Sequence, residues 1–117
     1  MNTFSIKMPL NGDYMTTVRL TTGGLCALAG FDVDTAEDYK VCVTEALLIL
    51  SRNGFTHANL LFTVGETLAC QLTGEGDCPL ASSETDEISY ALLSALLGKV
   101  DYTKNAEGRV LAIGFEG

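Results

Sequence analysis

The feature that constrains this chain most is a change of hydrophobic period. Ala36, Tyr39, Val43, Ala46, Leu47 and Leu50 recur at helical spacing and form a wide apolar stripe. Asp34, followed three residues later by Glu37, resembles a capping box at its start, and Asn53-Gly54 marks its end. The period then switches to two. Residues 59–64 and 67–73 read as strands joined at Gly65-Glu66, with Leu68, Cys70 and Leu72 on one face and Ala69, Gln71 and Thr73 on the other. A one-sided helix next to a one-sided hairpin must bury each face against the other, which demands a helix layer on a sheet layer.

The rest of the chain fits that frame. Phe4, Ile6 and Met8 alternate with Thr3, Ser5 and Lys7 as in a half-buried strand, which Pro9 ends. Asn11-Gly12-Asp13 is a turn, and Asp13 is placed to cap a helix from Tyr14 to Ala29. In that helix Met15, Val18, Leu25 and Leu28 mark the apolar side, Gly23-Gly24 weaken the middle, and Gly30 is the stop. Gly74 to Ser83 reads as loop. Ser83 or Thr85 then caps a third helix whose Ile88, Leu92, Ala95 and Leu96 share a face before Gly98. Strands at 99–103 and 109–115 flank a polar turn at Asn105-Ala106-Glu107-Gly108. The predicted order is β-α-α-β-β-α-β-β. It describes an α/β (α+β) two-layer sandwich with a mixed, mostly antiparallel five-stranded sheet and three helices on one face. The reading takes residues 1–117 as a single domain.

Composition narrows the function. With 47% apolar residues and 19% charged, the chain is expected to form a compact globule. No apolar run approaches the ~18 residues of a membrane span, and the first residues do not read as a secretory signal, so a cytoplasmic location is expected. A net charge of -8 with thinly spread Lys and Arg speaks against nucleic acid and anionic membranes, and suits a basic protein partner. Cys26, Cys42, Cys70 and Cys78 form no C-x-x-C pair and lie far in sequence from His57, the only histidine. They indicate neither a zinc site nor a disulfide framework. The first three read as core residues and Cys78 as a loop residue. His57 reads as part of a surface turn, and Lys40 and Arg52 as solvated helix positions.

Three stretches carry a resemblance. They are Leu28-Ala29-Gly30-Phe31 with Asp38 to Ala46, the Leu72-Thr73-Gly74-Glu75-Gly76 turn, and the helix Tyr90 to Leu97 running into Val100-Asp101-Tyr102. Together with the order of elements, they resemble the anti-sigma-factor serine kinases of the gyrase and histidine-kinase-like ATPase superfamily. In that family a glutamate on the second helix polarises the attacking hydroxyl, and an asparagine one turn later holds magnesium. The resemblance places Glu45 at the glutamate position and Ile49, which has no oxygen for a hard cation, at the asparagine position. Glu45 reads equally well as a solvated surface acid.

The family's Asp-x-Gly-x-Gly element binds adenine. Here the glycines remain as Gly74 and Gly76, while Leu72 replaces the aspartate and fills the adenine slot. Asp77 could substitute only through a register slip, and Gly74 to Asp77 reads better as an ordinary loop. Where the family has small residues at the phosphate-binding helix start, this chain has Asp86-Glu87, which would repel a triphosphate or simply cap the helix.

The resemblance therefore implies a regulatory protein that acts by protein–protein interaction, with ATP binding lost and no cofactor needed. Its implied partners are a sigma factor or an anti-anti-sigma domain, and it implies a homodimer. The second reading is an active ATP- and magnesium-dependent serine/threonine kinase with Glu45 catalytic. The third is a binding domain for an apolar small molecule between Leu72 and Ile49.

Overall fold

A computed structural model describes residues 2–77 and 86–117. Its elements are β1 (Asn2–Pro9), α1 (Met15–Leu28), α2 (Val33–Arg52), β2 (His57–Val64), β3 (Leu68–Glu75), α3 (Glu87–Leu97), β4 (Val100–Lys104) and β5 (Val110–Glu116). A 3₁₀ turn at Gly12–Tyr14 leads into α1. The five strands form one sheet in the order β1-β2-β3-β5-β4, and every neighbouring pair is antiparallel. The expected two-layer architecture and order of elements are present.

Helix α2 is the centre of the helix layer. Its buried side, Tyr39, Cys42, Val43, Ala46, Leu47, Ile49 and Leu50, packs in one core with Leu60, Phe62, Leu68, Cys70, Leu72, Ile113 and Phe115 of the sheet. Tyr39 meets Phe31 and Phe115 edge-on at 5.6 and 5.4 Å, and its hydroxyl donates to the Leu68 carbonyl at 2.8 Å. That bond satisfies a polar atom that burial would otherwise penalise. Cys26, Cys42 and Cys70 are buried free thiols, as expected of small core residues; Cys78 lies outside the described residues. Burial pushes the Cys42 thiol up to about 12 and raises Cys26 and Cys70 as well. Among the described residues, no helix is long and apolar enough to cross a membrane.

Several local expectations are corrected. Asn11, not Asp13, caps the first turn, its Oδ1 accepting the Asp13 N–H at 3.0 Å. Leu28 is 75% exposed rather than in the core. A Schellman motif explains this: Gly30 at φ 80 lets the Phe31 N–H reach the Cys26 carbonyl at 3.0 Å, which tucks Phe31 against Tyr39 and leaves Leu28 outside.

Helix α2 starts earlier than the Asp34/Glu37 box. Asp32 Oδ1 accepts the Thr35 N–H at 2.8 Å, while Glu37 pairs with Lys40 at the same distance. That pair holds Lys40 on the helix surface, so it is not an isolated solvated cation. Strand β2 begins at His57, which is therefore in the sheet and not in a turn. Gly74 and Glu75 belong to β3, not to a loop.

Helix α3 presents a different face from the expected one. Ser89 and Leu93 are buried, whereas Ile88 is 77% exposed. The N-cap position is Asp86, which makes no capping hydrogen bond; the expected caps Ser83 and Thr85 lie outside the described residues.

Candidate functional site

On α2 the positions i, i+4 and i+7 line one face of the helix. Here they are Glu45, Ile49 and Arg52, and this stripe looks toward α3. Ser89 is 1% exposed and sits opposite it. Its hydroxyl donates to Glu45 Oε2 at 2.8 Å and accepts from Arg52 Nη1 at 2.9 Å. Arg52 Nη1 also reaches Asp86 Oδ1 at 3.1 Å, with both side chains largely shielded. Ile49 is completely buried between the two polar ends of the stripe.

The network continues past the end of α2. Asn53 Nδ2 donates to the Ile49 carbonyl at 2.7 Å and to Asp86 Oδ2 at 3.2 Å. Its Oδ1 accepts the Val110 N–H at 3.0 Å, which ties the helix end to β5. Arg109 Nε donates to the Asn53 carbonyl at 2.7 Å, and its Nη2 reaches Asp77 Oδ1 at 2.9 Å. The same guanidinium lies 3.9 Å from the centre of the Phe55 ring, a cation–π stack. An unbroken polar chain thus runs from Glu45 through Ser89, Arg52, Asp86, Asn53 and Arg109 to Asp77. It joins α2, α3, the end of β3 and the start of β5.

The glycines face a different set of partners. A Cβ on Gly74 would collide with the Phe55 ring, so the missing side chain makes room for Phe55. Gly76 has φ 72, and a Cβ there would collide with Thr56 Oγ1. Leu72 lies two residues before Gly74, opposite Leu60 on one side and Ile113 on the other, and is completely enclosed. Since Ile49 and Leu72 are both fully enclosed, neither walls an open apolar slot.

Of the residues singled out from sequence, Glu45 and Ile49 share one stripe, while Gly74 and Gly76 pack on Phe55 and Thr56. Glu45 is neither a free base nor a freely solvated acid, because Ser89 holds it. Arg52, read as solvated, is the hub of the network, and the acid at 86 answers Arg52 and Asn53 rather than the helix dipole. Two of the positions to which the resemblance assigns Mg-ATP contacts carry side chains with no polar atom. Leu72 gives an adenine amine no acceptor, Ile49 gives magnesium no oxygen, and the space above Gly74 holds an aromatic ring. Sequence reasoning missed Phe55, Asn53, Ser89 and Arg109. The available signal was a lone Arg seven residues after a lone Glu on an apolar stripe, facing a helix with a serine among its leucines.

No family model matches the chain. The chain is similar to the serine-protein kinase RsbW of Staphylococcus aureus strains bovine RF122 / ET3-1 and MSSA476. Each is 22% identical to it over 102 residues, covering 87% of this chain and 63% of the relative. The chain thus spans less than two thirds of the length of the curated relatives it matches.

Proposed function

We propose that this protein is a regulatory interaction module of the anti-sigma-factor type, which works by holding a protein partner and has lost ATP binding. The distant similarity to a serine-protein kinase supports the lineage, and the observed order of elements is the one from which the resemblance was read. The observation that carries the loss is the state of Glu45. The carboxylate that would polarise a substrate hydroxyl already receives one from Ser89 of its own chain. The ring of Phe55 over Gly74 and the enclosed Leu72 point the same way. A sigma factor or an anti-anti-sigma domain is the proposed partner, drawn to the acidic chain of net charge -8.

Calorimetry with ATP and magnesium tests the first half. Loss of the adenine acceptor and the metal ligand should each weaken binding by about tenfold or more, so a dissociation constant of about a millimolar or weaker is expected. Leu72→Asp alone should not restore binding, since it places an acid in the core. A micromolar constant for the wild type would overturn the reading and favour an active kinase with Glu45 as its base. Biosensor binding to sigma and anti-anti-sigma candidates tests the second half. The expected association rate falls as salt rises, and absence of binding to every candidate counts against the proposal.

A further inference from the structure

Helix α3 and strand β4 leave a seam open between them. Strand β4 is one edge of the sheet, and among the described residues nothing pairs with its far side. Val100 and Tyr102 stand opposite the buried Phe115 and Ile113, so their side chains lie on the helix face, where both are only half-buried. Between them and α3 is a cleft of about 220 Å³, lined by Tyr90, Ser94 and Gly98 on one side and Val100 and Tyr102 on the other. Tyr90 and Tyr102 meet edge-on at 5.0 Å and form a fixed wall, with the Lys104 ammonium 6.0 Å from the centre of the Tyr90 ring.

The direction of the β4 backbone groups follows from the far end of β5. Leu68 and Gly117 exchange both N–H···O bonds, at 3.1 and 3.0 Å. Alternation along the β3/β5 ladder makes Cys70/Phe115 and Leu72/Ile113 the next bonded pairs, so Gly114 and Ala112 turn their backbone groups toward β4. Their partners Asp101 and Thr103 are thus bonded to β5, and the N–H and C=O groups of Val100 and Tyr102 point off the sheet edge. The register shift at Thr103/Lys104 ends this regular stretch, which restricts the edge to a short segment. On the other face of β4, Asp101 lies beside Gly114, whose missing side chain leaves room for the Gln71 amide oxygen. Asp101, Gly114, Gln71, Glu116 and Lys99 border a depression there of about 400 Å³, with oxygen acceptors on three of them and a cation on one.

We propose that the β4 edge is a binding groove for an extended segment of another protein, which adds an apolar-basic-apolar run antiparallel to Val100, Asp101 and Tyr102. The segment exchanges both backbone bonds with Val100 and both with Tyr102. Residues directly opposite each other share a face, so its two apolar side chains enter the cleft beside Tyr90 and Tyr102 and leave water. The basic side chain between them emerges on the other face, against Asp101. Its length carries it toward Gln71 and Glu116, across a strand spacing of about 4.8 Å. The chain's own β4 is the wrong complement, because the same pairing with a second copy sets Asp101 against Asp101. The groove does not depend on the anti-sigma reading.

Two synthetic peptides with capped ends, Thr-Val-Arg-Val-Thr and Thr-Val-Glu-Val-Thr, test this by NMR titration into the isotope-labelled full chain at low salt. The arginine peptide should shift the Val100 and Tyr102 amides to saturation and slow their exchange with water. The glutamate peptide should bind about tenfold more weakly. Asp101→Asn, at an exposed position, should remove most of that discrimination. Val100→Pro deletes an N–H that points away from β5 and should abolish binding; if it fails to fold, the Asp101→Asn comparison decides. No saturable shift at Val100 and Tyr102 overturns the inference, as do shifts centred elsewhere or equal binding of the two peptides. Any of these leaves the proposed anti-sigma function standing, and failure to bind every sigma or anti-anti-sigma candidate leaves the β4 groove standing.

Discussion

Replacing Ser89 by Ala removes one hydroxyl from the network between α2 and α3, and the structure sets the cost. The hydroxyl is 1% exposed and bonds a carboxylate and a guanidinium at 2.8 and 2.9 Å. A hydrogen bond to a charged group contributes roughly 1.5–3 kcal/mol when buried. Neither charge is fully stranded by the change. Glu45 is half-buried, so water can approach it, and Arg52 keeps Asp86 at 3.1 Å. Alanine also favours a helix over serine by about 0.5 kcal/mol. The net loss should be about 1–2 kcal/mol, which lowers the urea midpoint by roughly 1 M at an m-value of 1–3 kcal/mol/M. The coupling between Ser89→Ala and Glu45→Ala, measured as a double-mutant cycle in urea, should be about 1 kcal/mol. Strict additivity, or a Ser89→Ala variant as stable as the parent, would refute the view that this hydroxyl occupies Glu45.

The corrected helix faces and the α2 cap make two further predictions. Leu47→Ala, at a fully buried α2 position, should cost about 2–5 kcal/mol, whereas Leu28→Ala should cost less than about 0.5 kcal/mol; equal losses in urea melts would mean the α1 face is misplaced. The Thr35 amide bond, followed by the Thr35 side chain, holds the Asp32 carboxyl below its ordinary 3.8. Its folded pKa is thus depressed, so its stabilisation is complete above the unfolded value and fades as pH falls through the folded one. Wild type should therefore melt above Asp32→Asn near neutral pH, with the gap closing below 3.8; a gap that widens in acid contradicts the cap.

How much was legible in the sequence depended on whether local pattern set the phase as well as the period. Helix α2 has charged residues on its open side, so its stripe located the core directly. Helix α3 reads Glu-Ile-Ser-Tyr-Ala-Leu-Leu-Ser-Ala-Leu-Leu, with one charge at its start and apolar residues all round. Its period was plain, but its rotation was not. Ser89 fixes that rotation through Arg52 and Glu45, 37 and 44 residues away in the chain. Ile49 and Leu72 drew attention in the sequence because a resemblance assigned those positions a role. The occupant of the space above Gly74 was not, because nothing local links Phe55 to a glycine 19 positions on, or Arg109 to Asn53, 56 residues earlier.

The three buried thiols have a practical consequence. Cys26 lies on α1, Cys42 on α2 and Cys70 on β3, so the outer helix, the central helix and the sheet each hold one. A thiol reacts as its thiolate and only when reagent can reach it, and burial suppresses both conditions here. Alkylation under native conditions must therefore wait for each element to open, and its rate reports that opening. Peptide-resolved mass spectrometry of a labelling time course would read three clocks in one unmodified molecule, separating detachment of α1 from loss of the whole core.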